Sequence, residues 1–240
     1  MNASDLDQRL DLRSQTRRRN LWRRGLLAVG GLVALIVLGW LVWFSPLLRV
    51  QSVAVTGNQL TSTDEVLQAA QVPIDVPLAR LDGAAIRARV QGLPAVAGVE
   101  LHRNWPDRLV IEVTERQLVY QRFVDGRYQW VDAEGRLFYH SAERVPGVVA
   151  ITASDDRRLL RDVATMILAL DPDLAVQVDR VEATSIDHLV IYLVDGRSAF
   201  PQIVWGNAEQ SAEKAALLPT LLKMTGTVID VSVPGRPAIR

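Results

Sequence analysis

Ser211-Ala212-Glu213-Lys214 matches a known nucleophile–base spacing in this 240-residue chain. In S-x-x-K one helical turn sets a hydroxyl beside an amine that can take its proton, the arrangement of penicillin-recognising acyl-enzymes. The accompanying motifs are missing. There is no S-D-N, and Lys223-Met224-Thr225-Gly226 is not K-T-G. Two fixed positions in four recur by chance, so the expected reading of Ser211 and Lys214 is a solvated helix face. Other chemistries find less support. The chain has no Cys, which removes disulfides, thiol nucleophiles and thiolate ligands. His102, His140 and His188 lie 38 and 48 residues apart and form no local ligand pair. Asp155-Asp156 suits a helix start, where the dipole favours negative charge. Asp171-Pro172-Asp173 is turn chemistry, and neither acidic group fits an EF-hand. No P-loop, G-x-S-x-G or G-x-G-x-x-G occurs. The expectation is no catalytic residue, no metal ligand and no cofactor.

The chain balances 27 basic against 27 acidic residues, but unevenly. Residues 1–24 hold seven Arg against three Asp, a net of +4, which leaves −4 for the remainder. Between them lies an uncharged stretch, Gly25–Leu48. As a helix it would run roughly 36 Å at 1.5 Å per residue, enough to cross a hydrocarbon core. Trp22 lies at one end and Trp40, Trp43 and Phe44 at the other, at interface depth. Arginines crowd the N-terminal flank, so the N-terminus is expected in the cytoplasm and the rest of the chain outside. A cleaved signal peptide is the competing reading. The apolar run is too long for one, and no A-x-A-like site follows.

Beyond the span, Val50, Val53 and Val55 before Thr56-Gly57-Asn58 predict a strand ending in a turn. Ser62-Thr63-Asp64-Glu65 opens a short helix over Glu65–Gln71. Asp82–Gln91 is a second helix with Ile86 and Val90 on one face. Two strands follow, Val96–Arg103 and Leu109–Glu115, joined by a turn at Asn104-Trp105-Pro106-Asp107. In the second, Leu109, Ile111 and Val113 share a face. The order is β-α-α-β-β.

Asp125-Gly126 then predicts a hairpin between Gln117–Phe123 and Arg127–Val131, with a further turn at Glu134-Gly135. Pro146 begins a break. A helix is expected over Asp156–Leu170 and another over Asn207–Lys223, the latter capped by Asn207 with Gln210 reciprocating. Val178–Glu182 and His188–Val194 read as strands, Asp195-Gly196 as a hairpin leading to Ile203-Val204-Trp205, and Thr227–Val233 as the last strand. Hairpins and helices on one sheet indicate α+β.

Four fragments carry a family resemblance: Val55-x-Gly57-Asn58, Leu93-Pro94-x-Val96, Arg103-x-Trp105-Pro106 and Leu109-x-Ile111-x-Val113-x-Glu115-Arg116. Together they resemble a POTRA domain, and specifically the FtsQ/DivIB family of bacterial cell-division proteins. Val131-Asp132 to Gly135 and Phe138 resembles the stretch that follows POTRA in that family, and Ile229–Pro234 its last ordered strand. The resemblance implies a cytoplasmic tail over 1–24, a transmembrane helix over 25–48, a POTRA domain over 49–117 and a β domain over 118–240. It implies a non-catalytic divisome scaffold at the septum of the cytoplasmic membrane. Its partners would be FtsB/DivIC-like and FtsL-like bitopic proteins, with the septal peptidoglycan synthase complex beyond them, and no nucleic acid. The docking residues would be Val228, Ile229, Asp230, Val231, Ser232 and Val233, an edge strand that an extended segment could extend. In the same family Gly206 and Lys214 fall in a shared stretch that makes Lys214 structural. Gly57, Leu93, Pro94, Arg103, Trp105, Pro106, Glu115 and Arg116 are expected to be structural. Trp105-Pro106 would form a turn covering the sheet edge, Gly57 would relieve a positive-φ turn, and Glu115-Arg116 would end a strand in solvent. A POTRA chaperone of secretion machinery and a Ser211/Lys214 acyl-enzyme are the alternatives.

Overall fold

The computed structural model describes residues 26–37, 39–40, 48–194 and 201–240. Residues 26–37 and 39–40 are helical and exposed. Among the described residues no helix is long and apolar enough to cross a membrane. The basic tail, residues 25, 38 and 41–47 of the expected span, and the Asp195-Gly196 hairpin lie outside the described residues. The chain forms two compact units. One gathers the residues up to Thr56 with Thr63–Val90 and Val99–Glu112, and the other Gly57–Ser62, Gln91–Gly98 and Val113–Arg240.

The first sheet has three strands: β1 (Ser52–Thr56), β2 (Val96–Asn104) and β3 (Arg108–Glu115), in the order β1-β3-β2. β1 runs parallel to β3. The helices α1 (Thr63–Ala70) and α2 (Gly83–Gln91) precede β2 in the chain, the expected β-α-α-β-β order. Parallel neighbours need a long crossover, and the two helices with β2 supply it. Alternation in β3 buries Leu109, Ile111 and Val113 almost completely. Val66 and Ala70 of α1 and Ile86 and Val90 of α2 are buried too. The Asp82 carboxylate caps α2 by accepting from the Ala84 and Ala85 N–H groups. Arg89 donates from Nε and Nη2 to the Ala70 carbonyl at the end of α1, at 3.0 and 2.7 Å.

The second sheet has nine strands. These are β4 (Tyr120–Val124), β5 (Arg127–Val131), β6 (Leu137–Ser141), β7 (Val148–Thr152), β8 (Val178–Ser185), β9 (His188–Leu193), β10 (Gln202–Gly206), β11 (Val228–Asp230) and β12 (Ala238–Ile239). Their order is β12-β11-β10-β9-β8-β7-β4-β5-β6. The β4–β5 hairpin turns at Asp125-Gly126 with φ of 51° and 78°, the left-handed pair that Asp-Gly favours. Three pairs are parallel, β4–β7, β7–β8 and β10–β11. Helices α3 (Arg157–Ala169) and α4 (Pro172–Ala175) connect β7 to β8, and α5 (Ser211–Leu221) connects β10 to β11. The buried face of α3, Leu159, Leu160, Val163, Ala164, Met166 and Ile167, belongs to one core with Tyr120, Ile191, Trp205 and Ile229. The architecture is α+β.

Three local expectations are corrected. α5 begins at Ser211 rather than Asn207. The Asn207 Oδ1 atom accepts from the Glu209 N–H in a turn, and Gln210 is left-handed, so the helix starts only after it. β7 replaces the expected break after Pro146. The last strand is not a single run over Thr227–Val233. β11 stops at Asp230, a turn closes from the Arg236 N–H to the Val233 carbonyl at 2.9 Å, and β12 returns antiparallel.

Candidate interaction site

The residues expected to dock a partner stand one strand inside the sheet edge. β11 pairs with β10 on one side and β12 on the other, with Ile229 facing Ile203 and Ile239. The Arg240 carbonyl accepts from the Thr227 and Val228 N–H groups, and the Arg240 N–H donates to Val228. Past the strand, the Val231 N–H donates to the Val204 carbonyl at 2.9 Å. Ile229 and Val231 are fully buried, Val228, Asp230 and Ser232 are half-buried, and Val233 is exposed. The Asp230 carboxylate accepts from both the N–H and the hydroxyl of Ser232. Gly206 holds this end together. Its φ is +79°, and a Cβ there would lie 2.8 Å from the Ser232 Cβ. Among the described residues β12 has no strand neighbour on its outer side, so the open main-chain edge belongs to Ala238–Ile239. β6 is the edge at the far end. An open edge can accept an extended segment through main-chain hydrogen bonds.

The Glu115-Arg116 pair is not a solvated strand end. Glu115 accepts from the Leu60 N–H at 3.0 and 2.9 Å and from the Thr61 N–H at 2.8 Å. Burial pushes its carboxyl up, but N–H donors from Leu60, Thr61 and Gln59 outweigh that and hold it below the ordinary range. The same loop begins at Gly57, whose φ is +81° and whose absent Cβ would collide with the Val113 carbonyl. Arg116 Nη1 donates to Asp132 Oδ2 at 2.6 Å, with the Asp132 side chain 3% exposed. Arg116 also donates from Nε to the Pro94 carbonyl, and its N–H to that of Ala95. The Leu93 carbonyl receives the Val96 N–H. Asp132 Oδ1 accepts from the Glu134 and Arg136 N–H groups, closing the turn. Arg103 donates to the carbonyls of Leu78 and Leu81. The Trp105–Pro106 peptide is cis, and Trp105 stands 52% exposed in the turn between β2 and β3.

The chemical candidates resolve into structure. Ser211 and Lys214 are buried, not on a solvated face. The Ser211 hydroxyl accepts from Trp205 Nε1 at 3.2 Å and donates to the Ala208 carbonyl at 2.8 Å. Lys214 Nζ donates to the carbonyls of Trp205 and Asn207 and to Asn207 Oδ1, at 3.1, 2.9 and 3.1 Å. Both side chains spend their hydrogen bonds on the end of β10 and the loop from it to α5. Asp156 caps α3 and Asp171 caps α4. Asp155 pairs at 2.5 Å with Arg122, whose side chain is buried. His102 is brought beside the carboxylates of Glu100 and Glu112.

A three-stranded β-α-α-β-β sheet with this motif set defines a POTRA-domain protein, here with a larger α+β sheet following in the chain. The family model described as "POTRA domain, FtsQ-type" matches residues 48–116. The cell division protein FtsQ of Streptomyces bingchenggensis is 33% identical over 232 residues, covering 90% of this chain and 86% of that protein. FtsQ of Mycolicibacterium smegmatis is 32% identical over 211 residues, covering 87% of this chain and 62% of that one. A solved structure of the major extracytoplasmic domain of DivIB from Geobacillus stearothermophilus covers 45% of this chain and 92% of its own at 13% identity, with a TM-score of 0.36. The chain belongs to the FtsQ family of cell division proteins.

Proposed function

We propose that the chain is a non-catalytic scaffold of the division machinery, anchored in the cytoplasmic membrane. The tail over 1–24 would lie in the cytoplasm, 25–48 would span the bilayer, and the two folded units would stand outside at the septum. The charge step from +4 to −4 across an uncharged stretch supports this orientation. The family membership supports the division role. The scaffold would link cytoplasmic assembly to septal peptidoglycan synthesis by holding FtsB/DivIC-like and FtsL-like proteins. The observation that carries the docking mode is the open outer side of β12, one strand beyond Val228–Val233. A partner segment would extend the sheet there.

Ile239→Pro tests this reading: Arg240 and Val228 exchange both main-chain hydrogen bonds, so the neighbouring Ile239 turns its N–H to the open side, where Pro removes the donor. The variant is expected to keep its circular dichroism spectrum and lose co-purification with the FtsB/DivIC-like partner. Wild-type recovery of the partner would put docking elsewhere. A fluorescent fusion should form a mid-cell band, and depletion should give filaments; uniform envelope signal with normal division would refute the division role.

A further inference from the structure

The solvent face of the small sheet carries a cluster that the division reading leaves unused. Glu100 and His102 lie two residues apart on β2, so both side chains leave the same face. Glu112 lies on the neighbouring strand β3. His102 Nε2 is 2.9 Å from Glu112 Oε2 and 3.7 Å from Glu100 Oε2. One donor atom from each of the three lies within 4.8 Å of the other two. All three residues are exposed.

We propose that Glu100, His102 and Glu112 form a binding site for a first-row divalent transition metal, Zn²⁺ foremost. Metal–donor bonds of about 2.1 Å in a tetrahedron set neighbouring donors about 3.4 Å apart. The two distances to the imidazole straddle that spacing, so small side-chain rotations complete the geometry while the backbone stays still. The imidazole separates this cluster from an ordinary acidic patch. Hard cations such as Mg²⁺ and Ca²⁺ take all-oxygen shells, whereas an imidazole with carboxylates suits Zn²⁺ and its neighbours. Strands rather than loops hold the three positions, which keeps the ordering cost to the side chains themselves. Three protein donors leave the fourth position open, for water or for a donor from another molecule.

The test is Zn²⁺ titration of the untagged full chain by calorimetry, with Mg²⁺ as the control cation. One saturable Zn²⁺ site is expected, with Mg²⁺ failing to compete. His102→Ala should weaken binding about 30-fold or more, and Glu112→Gln about 10-fold, because each removes one of three donors. His140→Ala and His188→Ala should leave the affinity unchanged. Co²⁺ should show intense visible d–d absorption in the wild type that His102→Ala abolishes. All three ligands are exposed, so these variants should fold, as circular dichroism would verify. Wild-type affinity in His102→Ala, equal loss in His140→Ala, or absence of saturable binding would overturn the site.

Discussion

Replacing Glu115 by Ala should unfasten the loop over Gly57–Ser62. The carboxylate receives the Leu60 and Thr61 N–H groups through three contacts of 2.8 to 3.0 Å, with the Gln59 N–H as a further donor. A hydrogen bond to a charged acceptor contributes about 1.5–3 kcal/mol. Glu115 is half-buried, so the lower end applies, and the loss should be about 2–3 kcal/mol. For a unit of this size that lowers Tm by roughly 5–10 °C. Glu115→Gln keeps the shape and one acceptor oxygen, and should lose about half as much. The pH profile separates the charge from the shape. The folded carboxyl sits below its usual value of 4.5, so its contribution is complete above that pH and fades as pH falls through the lower folded value. Urea unfolding of the full chain, followed by circular dichroism across that acid range, reads both effects. Wild type should lose stability relative to Glu115→Gln as the pH drops. A Glu115→Ala midpoint within error of wild type, or parallel acid profiles for wild type and Glu115→Gln, would refute the reasoning.

Arg116→Ala strands the nearly buried Asp132 carboxylate and should cost about 3–5 kcal/mol. Asp132→Asn keeps the acceptor for Glu134 and Arg136 and should cost less. A double-mutant cycle by urea unfolding should then give a coupling of about 1.5 kcal/mol or more, and a coupling near zero would remove the pair from the account. Lys214→Met leaves three oxygen acceptors without their donor and should cost about 1–3 kcal/mol at neutral pH. Burial lowers the Lys214 pKa, against a smaller opposing pull from Glu209. The unfolded chain therefore holds the proton to higher pH than the folded one. Wild-type stability should gain on Lys214→Met as pH rises from the lowered folded value toward 10.5; urea midpoints that keep a constant difference would contradict it.

The periodic parts of the fold were readable because burial imposes its own spacing. Leu109, Ile111 and Val113 alternate because one face of β3 is sealed, and α3 shows its stripe because that face meets the sheet. The Asp125-Gly126 hairpin was readable because its backbone demands residues that accept positive φ. What escaped the sequence reading depends on partners far along the chain. Glu115 and Arg116 look like any charged strand end until Leu60, Thr61 and Asp132 arrive from 55, 54 and 16 residues away. Lys214 is the local exception: the resemblance makes it structural, but its residue type and spacing read as solvated, because the turn that folds Trp205 and Asn207, nine and seven residues back, over its ammonium leaves no periodic signal. The sheet edge moved for a related reason. Pro234 and Pro237 close the run over Thr227–Val233, but a stop and a tight return have the same composition, and only the pairing of Ala238–Ile239 with β11 separates them. Main-chain groups of β11 are already satisfied on both sides, so a segment docking at this end of the sheet, as proposed, would either extend β12 or displace it. Displacement would break the bonds that Arg240 makes to Thr227 and Val228 before forming new ones, whereas extension breaks none. Extension at β12 is therefore the less costly route, and it leaves the buried side chains of Ile229 and Val231 to the core that they already fill.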